Sequence, residues 1–397
     1  MRIVLVADTF PPLASSGAVQ LRDLSREFVR QGYELTVLLP SNNQVSGWKL
    51  EVWEGVQVLR LKAPRTKDIK NVCRTLSEFI MPFAMLRQFR KSPLARCRWA
   101  GVVWYSPSIF HGPLVKFLKK SSRCRSYLII RDIFPQWAVD IGVMGRGLPY
   151  RFFDAVARYQ YSVADIIGVQ TSGNQTYFQP WKKKSDKKLE VLPNWLGNLS
   201  SSVCHINLDK TCLKGRKCLV YAGNMGIAQG MDKILDLAEM LKNRNDIGFL
   251  FVGRGSEASR LINSARARQL SNVEFFDEID PDEIPSLYSQ CIAGIVALHY
   301  GHRSHNIPGK FLTYMRSGLP VLANINAGND LADIIRTNRV GQVCDSNQSG
   351  DLLRCTEKLL DQIDADRYIS ARCSQLFDRQ FNVNKAVKQI AFALKGG

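Results

Sequence analysis

Apolar and polar positions follow two rhythms along this chain. Short apolar runs rich in β-branched residues stand at 3–7, 34–39, 56–61, 101–105, 126–130 and 165–170. Each has the length of a strand covered on both faces. Stretches with helical spacing lie between them. The first runs from Val19 to Gly32, whose glycine predicts a C-cap. Strand, loop, helix, strand is a βαβ unit, and its recurrence predicts a doubly wound parallel sheet.

The rhythm breaks between 185 and 215, where a Lys/Asp/Ser cluster, a short strand at 189–192, Pro193-Asn194-Trp195 and a Ser-rich stretch follow one another. It restarts with predicted strands at 217–222, 247–252, 273–276, 293–297 and 321–323 and a helix at 231–242. No sequence repeat is visible, but the architecture repeats. The expected fold class is α/β, with two Rossmann-like doubly wound domains facing a cleft. The expected bounds are 1–195 and 196–378, with a last helix in 379–397 that crosses back to the first domain. A chain of 397 residues also exceeds one ordinary core.

Composition changes this picture little; charge changes it more. At 45% hydrophobic and 22% charged, the chain is ordinary globular protein. No apolar run approaches the roughly 20 residues of a membrane-spanning helix. The opening MRIVLVADTF reads as a buried strand and not as a signal peptide. The ten cysteines are scattered without metal spacing and read as reduced thiols of a cytoplasmic protein. The net charge of +19 is concentrated: from Lys62 to Arg125, fifteen Lys and Arg stand against Asp68 and Glu78 alone. Aromatic and apolar residues interleave with them. A nucleic acid, an anionic membrane, a phosphorylated substrate and a merely solvated face all fit such a run.

In open α/β sheets, ligands bind beyond the carboxyl ends of the strands, so the strand-end loops hold the candidate chemistry. Gly17, before the first helix, lets an anion approach helix amides, or simply serves a turn and N-cap. Gly223, Asn224 and Gly226 form a similar loop after the strand at 217–222. Arg254, between Gly253 and Gly255, is a candidate phosphate partner or a solvated side chain. Asn306, Pro308 and Lys310 precede or open a helix. A lysine in a first turn opposes the helix dipole, which makes sense with an anion between it and the amides. Arg131-Asp132, at a strand end, can orient a hydroxyl or take its proton, unless Asp132 is an N-cap. Asp280-Pro281-Asp282 matches a metal–nucleotide pattern, but reads as an N-cap, a proline at N1 and a capping-box Glu283.

Taken together, Gly17, Pro193-Asn194, Tyr221-Ala-Gly-Asn224, Gly253-Arg-Gly255 and Gly318-Leu-Pro-Val321 resemble the retaining glycosyltransferases of family 4, which have the GT-B fold. The resemblance covers nearly the whole chain. The family's usual pair of glutamates reads Asn306 and Tyr314 here, and its usual Arg and Lys in the loop at Gly223 read Asn224 and Gln229. Those departures resemble the WbuB-like branch of O-antigen assembly, associated with N-acetyl-L-fucosamine. That branch shows YAGN-x-G-x-x-Q, Pro-x-Lys and RD-x-x-P, matched here at Tyr221–Gln229, Pro308–Lys310 and Arg131–Pro135.

The resemblance implies a UDP-sugar donor, a lipid-linked saccharide acceptor and no metal or other cofactor. It implies that Lys310 supplies diphosphate charge that Gln229 cannot, with Asp132 acting on the acceptor. The base would be read near 277–279. The basic stretch then implies peripheral attachment, from Phe79 to Arg98, to the anionic inner face of the cytoplasmic membrane. A nucleotide-sugar 2-epimerase is an alternative that lacks support from the missing glutamates. A nucleic-acid-binding protein would show motifs that are absent, so no nucleic-acid partner is expected.

Overall fold

A computed structural model describes the chain except residues 14, 46, 67–68, 183–186, 198–201, 302–306, 347 and 397, and the side chains of 71 and 349. The chain divides into two units. The first comprises Met1–Gly197 and Val383–Gly397; the second comprises Asn198–Asn382.

The first unit holds β1 (Arg2–Val6), β2 (Glu34–Ser41), β3 (Trp48–Trp53), β4 (Val56–Lys62), β5 (Gly101–Tyr105), β6 (Arg125–Ile129), β7 (Ile166–Val169) and β8 (Lys188–Val191). Their order is β3-β4-β2-β1-β5-β6-β7-β8. All neighbours are parallel except β3, an antiparallel edge strand on β4. Its helices are α1 (Ser16–Arg30), α2 (Asn71–Phe89), α3 (Gly112–Ser122), α4 (Gln136–Asp140), α5 (Leu148–Val163) and α6 (Gln179–Lys182).

The continuous apolar runs are explained by layers on both faces. Val4, Val6, Val102 and Trp104 face one core with Met81, Met85 and Phe89 of α2. Ile3, Leu5 and Val103 face the other with Leu21 and Leu24 of α1. α2 begins eight residues before the expected Phe79 and ends at Phe89, so the basic residues 90–98 do not prolong it. Leu94 and Trp99 beyond it are buried.

The second unit holds β9 (Lys217–Ala222), β10 (Ile247–Val252), β11 (Val273–Phe276), β12 (Ala293–Ala297), β13 (Val321–Asn324) and β14 (Gly341–Cys344), ordered β11-β10-β9-β12-β13-β14 and all parallel. Its helices are α7 (Asp232–Met240), α8 (Ala258–Ala267), α9 (Ile284–Tyr288), α10 (Gly309–Arg316), α11 (Asp330–Asn338), α12 (Ser349–Ala365) and α13 (Ile369–Gln380). The last helix, α14 (Val383–Lys395), belongs to the first unit. It buries Val387, Ile390 and Leu394 in the core that contains Ile3 and Leu5. Asp280 is the expected N-cap, accepting from the Asp282 amide at 2.8 Å. The Glu283 carboxylate, the expected capping-box partner, interacts with the Asp280 backbone and also accepts from the His205 amide at 2.9 Å.

Candidate functional site

Among the parallel strands of each sheet the order reverses once, between β1 and β5 and between β9 and β12. Those reversals are where ligands sit in open α/β folds. At the second, β9 and β12 pair only through Ala293↔Leu219 and Gly294↔Val220 and then diverge. Tyr314 of α10 fills the gap. Its hydroxyl lies 3.0 Å from the Val220 carbonyl and 3.2 Å from the Ile295 carbonyl, and accepts from the Ala222 amide at 3.4 Å. A Cβ on Gly294 would stand 2.5 Å from the Tyr314 ring, so only glycine admits that ring. Where the family resemblance expected a glutamate, the chain has a buried strand clamp.

One turn earlier on the same face is Lys310. The Lys310 Nζ donates to the Tyr221 hydroxyl at 2.8 Å and lies 4.0 Å above the centre of the Tyr221 ring. Tyr221 in turn donates to the Asn224 carbonyl at 2.5 Å. A Cβ on Gly223 would meet the lysine's Cε at 3.3 Å, so Lys310 lies against the Gly223 loop. Among the described residues no carboxylate pairs with it, and burial pushes its pKa down to about 7. Pro308 is the N-cap of α10 and offers no side-chain hydrogen bond to its first amides. Asn306 and the rest of 302–306 lie outside the described residues.

The loop at Gly223 is braced from within. The Gly223 amide donates to Val252 O at 2.8 Å and the Met225 amide to Arg254 O at 2.8 Å. The Gly226 amide donates to Gln229 Oε1 at 2.9 Å, and Asn224 Nδ2 to the same oxygen at 3.2 Å. Three of the expected phosphate donors are therefore already paired, and Gln229 organises the loop. The β9–β10 pairing thus continues past the strand ends. It requires glycine at 253 and 255, where a Cβ would lie 2.2 Å from the carbonyl oxygens of Gly223 and Met225. The Arg254 side chain turns outward to an ion pair with Glu278 at 2.8 Å.

At the reversal in the first unit, Gly17 is the second residue of α1, and Ser15 caps that helix by accepting from the Ala18 amide at 3.3 Å. Gly17 lies against Tyr105, with its Cβ position 3.5 Å from the ring. Arg131 interacts with Tyr105 and with Asp132, which brings Gly17 and Asp132 to one cluster. Arg131 is buried. Its guanidinium lies 4.3 Å over Trp195 and donates to Leu192 O at 3.2 Å. Asp132 caps no helix, since α4 begins at Gln136 with Pro135 as its N-cap. Burial raises the Asp132 pKa, opposed by Arg131.

Two features escape a reading of the sequence. His111, at the start of α3 after β5, is wholly buried, and among the described residues neither ring nitrogen has a hydrogen-bond partner. Burial pushes its pKa down to about 4, so the ring is neutral. The signal that could have flagged it is a histidine in a strand-end loop followed by Gly-Pro. An open cavity of about 460 Å³ also lies at the ends of β1, β2 and β4, lined by Asp8, Ser41, Asn42, Asn43 and Arg65. Metal binding has one candidate set among the described residues, Cys204, His205 and Glu283, in which Glu283 Oε2 lies 2.7 Å from His205 Nδ1.

Residues 209–372 match the family model described as glycosyl transferases group 1. That match covers most of the second unit, and the whole chain has the two-domain α/β GT-B fold. Over 239 residues it is 24% identical to a Pseudomonas aeruginosa protein named as a glycosyltransferase, WbjE, covering 58% of this chain and 59% of that protein. It is 22% identical to an Escherichia coli K12 protein named as a colanic acid biosynthesis glycosyl transferase, WcaI, over 89% of this chain and 90% of that protein. The crystal structure of Anabaena HepE in complex with UDP and glucose superposes with a TM-score of 0.69 at 14% identity, covering both chains fully. No helix among the described residues is long and apolar enough to cross a membrane.

Proposed function

We propose that this chain is a retaining glycosyltransferase of surface-polysaccharide assembly. It moves a sugar, in the branch it resembles N-acetyl-L-fucosamine, from a UDP-sugar to a lipid-linked saccharide diphosphate at the inner face of the cytoplasmic membrane. The observation that carries the reading is Lys310. It is a cation in the first turn of α10, against the Gly223 loop and over Tyr221, with no carboxylate partner among the described residues. A cation so placed lacks the anion that a nucleotide diphosphate supplies.

The chemistry needs positive charge where the diphosphate departs. Lys310 and the uncapped amides of α10 supply it without a metal. Tyr221 and the braced loop fix the position of the lysine, which limits reorganisation during transfer. The acceptor hydroxyl enters on the face from which the diphosphate leaves, and a phosphate oxygen takes its proton. Asp132 orients the acceptor or assists as base. The open cavity beside Arg65 has the polarity and size for a sugar diphosphate.

The test is a panel of nucleotide sugars with a lipid-linked GlcNAc diphosphate, read by mass. A product heavier by one glycosyl unit supports the reading. An altered nucleotide sugar formed without acceptor would assign epimerisation instead.

A further inference from the structure

α2 is apolar on two sides, and only one of them is covered. Met81, Met85 and Phe89 lie in the core. Val72, Leu76, Phe79, Ile80 and Phe83 recur at the spacing of the opposite face, and all are exposed. From Val72 to Phe83 the stripe runs about 16 Å along the helix axis.

The stripe continues onto a second helix that is distant in sequence. The Phe79 ring lies 6.1 Å from Phe83 and 6.1 Å from Phe152 of α5. Leu148, one turn before Phe152, is 80% exposed. A contiguous patch of this kind on a folded surface marks an interaction site.

Charge selects the occupant. Arg87, one turn beyond Phe83, and Arg146 and Arg151, on either side of Leu148, are exposed. Among the described residues none of the three is paired with an acid, whereas Arg74 on the same helix pairs with Glu78. A second copy packed about a two-fold axis would bring this basic set against itself. An anionic lipid surface takes the apolar side chains and neutralises the arginines together.

We propose that the joint face of α2 and α5 docks side-on on an anionic bilayer. Leu76, Phe79, Phe83, Leu148 and Phe152 enter the interface, and Arg87, Arg146 and Arg151 meet the headgroup phosphates. This deepens the functional reading above and rests on it for the membrane's relevance. It also moves the docking element from the 79–98 stretch to two helices, one of them outside the basic run.

The test is co-sedimentation of the full chain with vesicles of mixed phosphatidylglycerol and phosphatidylcholine, against phosphatidylcholine alone. Binding should require the anionic lipid. Leu76→Asp/Phe83→Asp and, separately, Arg87→Glu/Arg146→Glu/Arg151→Glu should each weaken it by about tenfold or more, with unchanged melting temperatures. Fluorescence of Phe152→Trp should be quenched by brominated lipid. Wild-type binding by the Asp pair, or an unquenched Phe152→Trp variant, overturns the proposal. So does a dimer in solution that the Asp pair dissociates. Transfer to a short, water-soluble acceptor diphosphate should be equal in wild type and both variants. If no transfer occurs but vesicle binding behaves as stated, the functional reading fails and the docking face stands.

Discussion

Lys310 ties the reading to a proton. Its pKa is held near 7 by burial, below the usual lysine range. A bound diphosphate raises it again, so UDP binding should take up as much as one proton between those two values. Affinity should be greatest below about pH 7 and fall as pH rises from there towards the liganded pKa. Calorimetry at pH 8 in buffers of different ionisation enthalpy reads this directly, and no proton uptake rejects the diphosphate contact. Lys310→Ala should lower turnover by a factor of about 100 or more. The empty protein should melt no lower, because Tyr221 keeps its bond to the Asn224 carbonyl. Asp132 has the opposite shift: its folded pKa is raised, so its charge costs stability above that pKa. Asp132→Asn should therefore melt no lower at neutral pH, yet cut turnover by about 10², with UDP affinity nearly unchanged. Lysine in a first turn was legible because it violates a local rule. Tyr221 beneath it and His111 were not, because burial of a ring depends on neighbours far along the chain.

At the scale of elements, the apolar strands 101–105, 217–222, 247–252 and 293–297 were legible to the residue. A strand covered on both faces advertises itself in composition. β3 escaped because an edge strand mixes Lys49 and Glu51 with its apolar positions, and β14 because Gly341 and Gln342 break its apolar run. The Gly253-Arg-Gly255 motif was legible, but its reason was not: the glycines serve backbone contact with the neighbouring loop. Tyr314 shows the same limit, since a residue in a helix pattern does not reveal that it bridges two strands. Gly294→Ala should force the Tyr314 ring aside and cost about 1–3 kcal/mol, read by chemical denaturation. Tyr314→Phe should cost about 1–3 kcal/mol by leaving strand groups unpaired. Its effect should be smaller in the Gly294→Ala background, since both act on one contact.

For the whole molecule, the alternation of apolar runs and helices established two α/β units. The assignment of α14 depends on tertiary packing that no local pattern encodes. Leu394 has its side chain against Gly101 of β5, where an added Cβ would lie 2.7 Å away. Leu394→Ala should destabilise the first unit by about 2–5 kcal/mol. Protection from hydrogen exchange should drop across β1, β5 and β6 before it drops in β9 to β14. Equal loss in both sheets would mean that the units unfold as one.

The position of α14 also orders events during synthesis. A ribosome releases all of the second unit before the residues that complete the first. The second unit can thus finish folding while the first sheet still lacks one helix on the face that holds Ile3 and Leu5. Until α14 emerges, that sheet exposes apolar surface and must wait or be shielded. A nascent chain stalled before residue 383 should carry a protease-resistant second unit and a protease-sensitive first one.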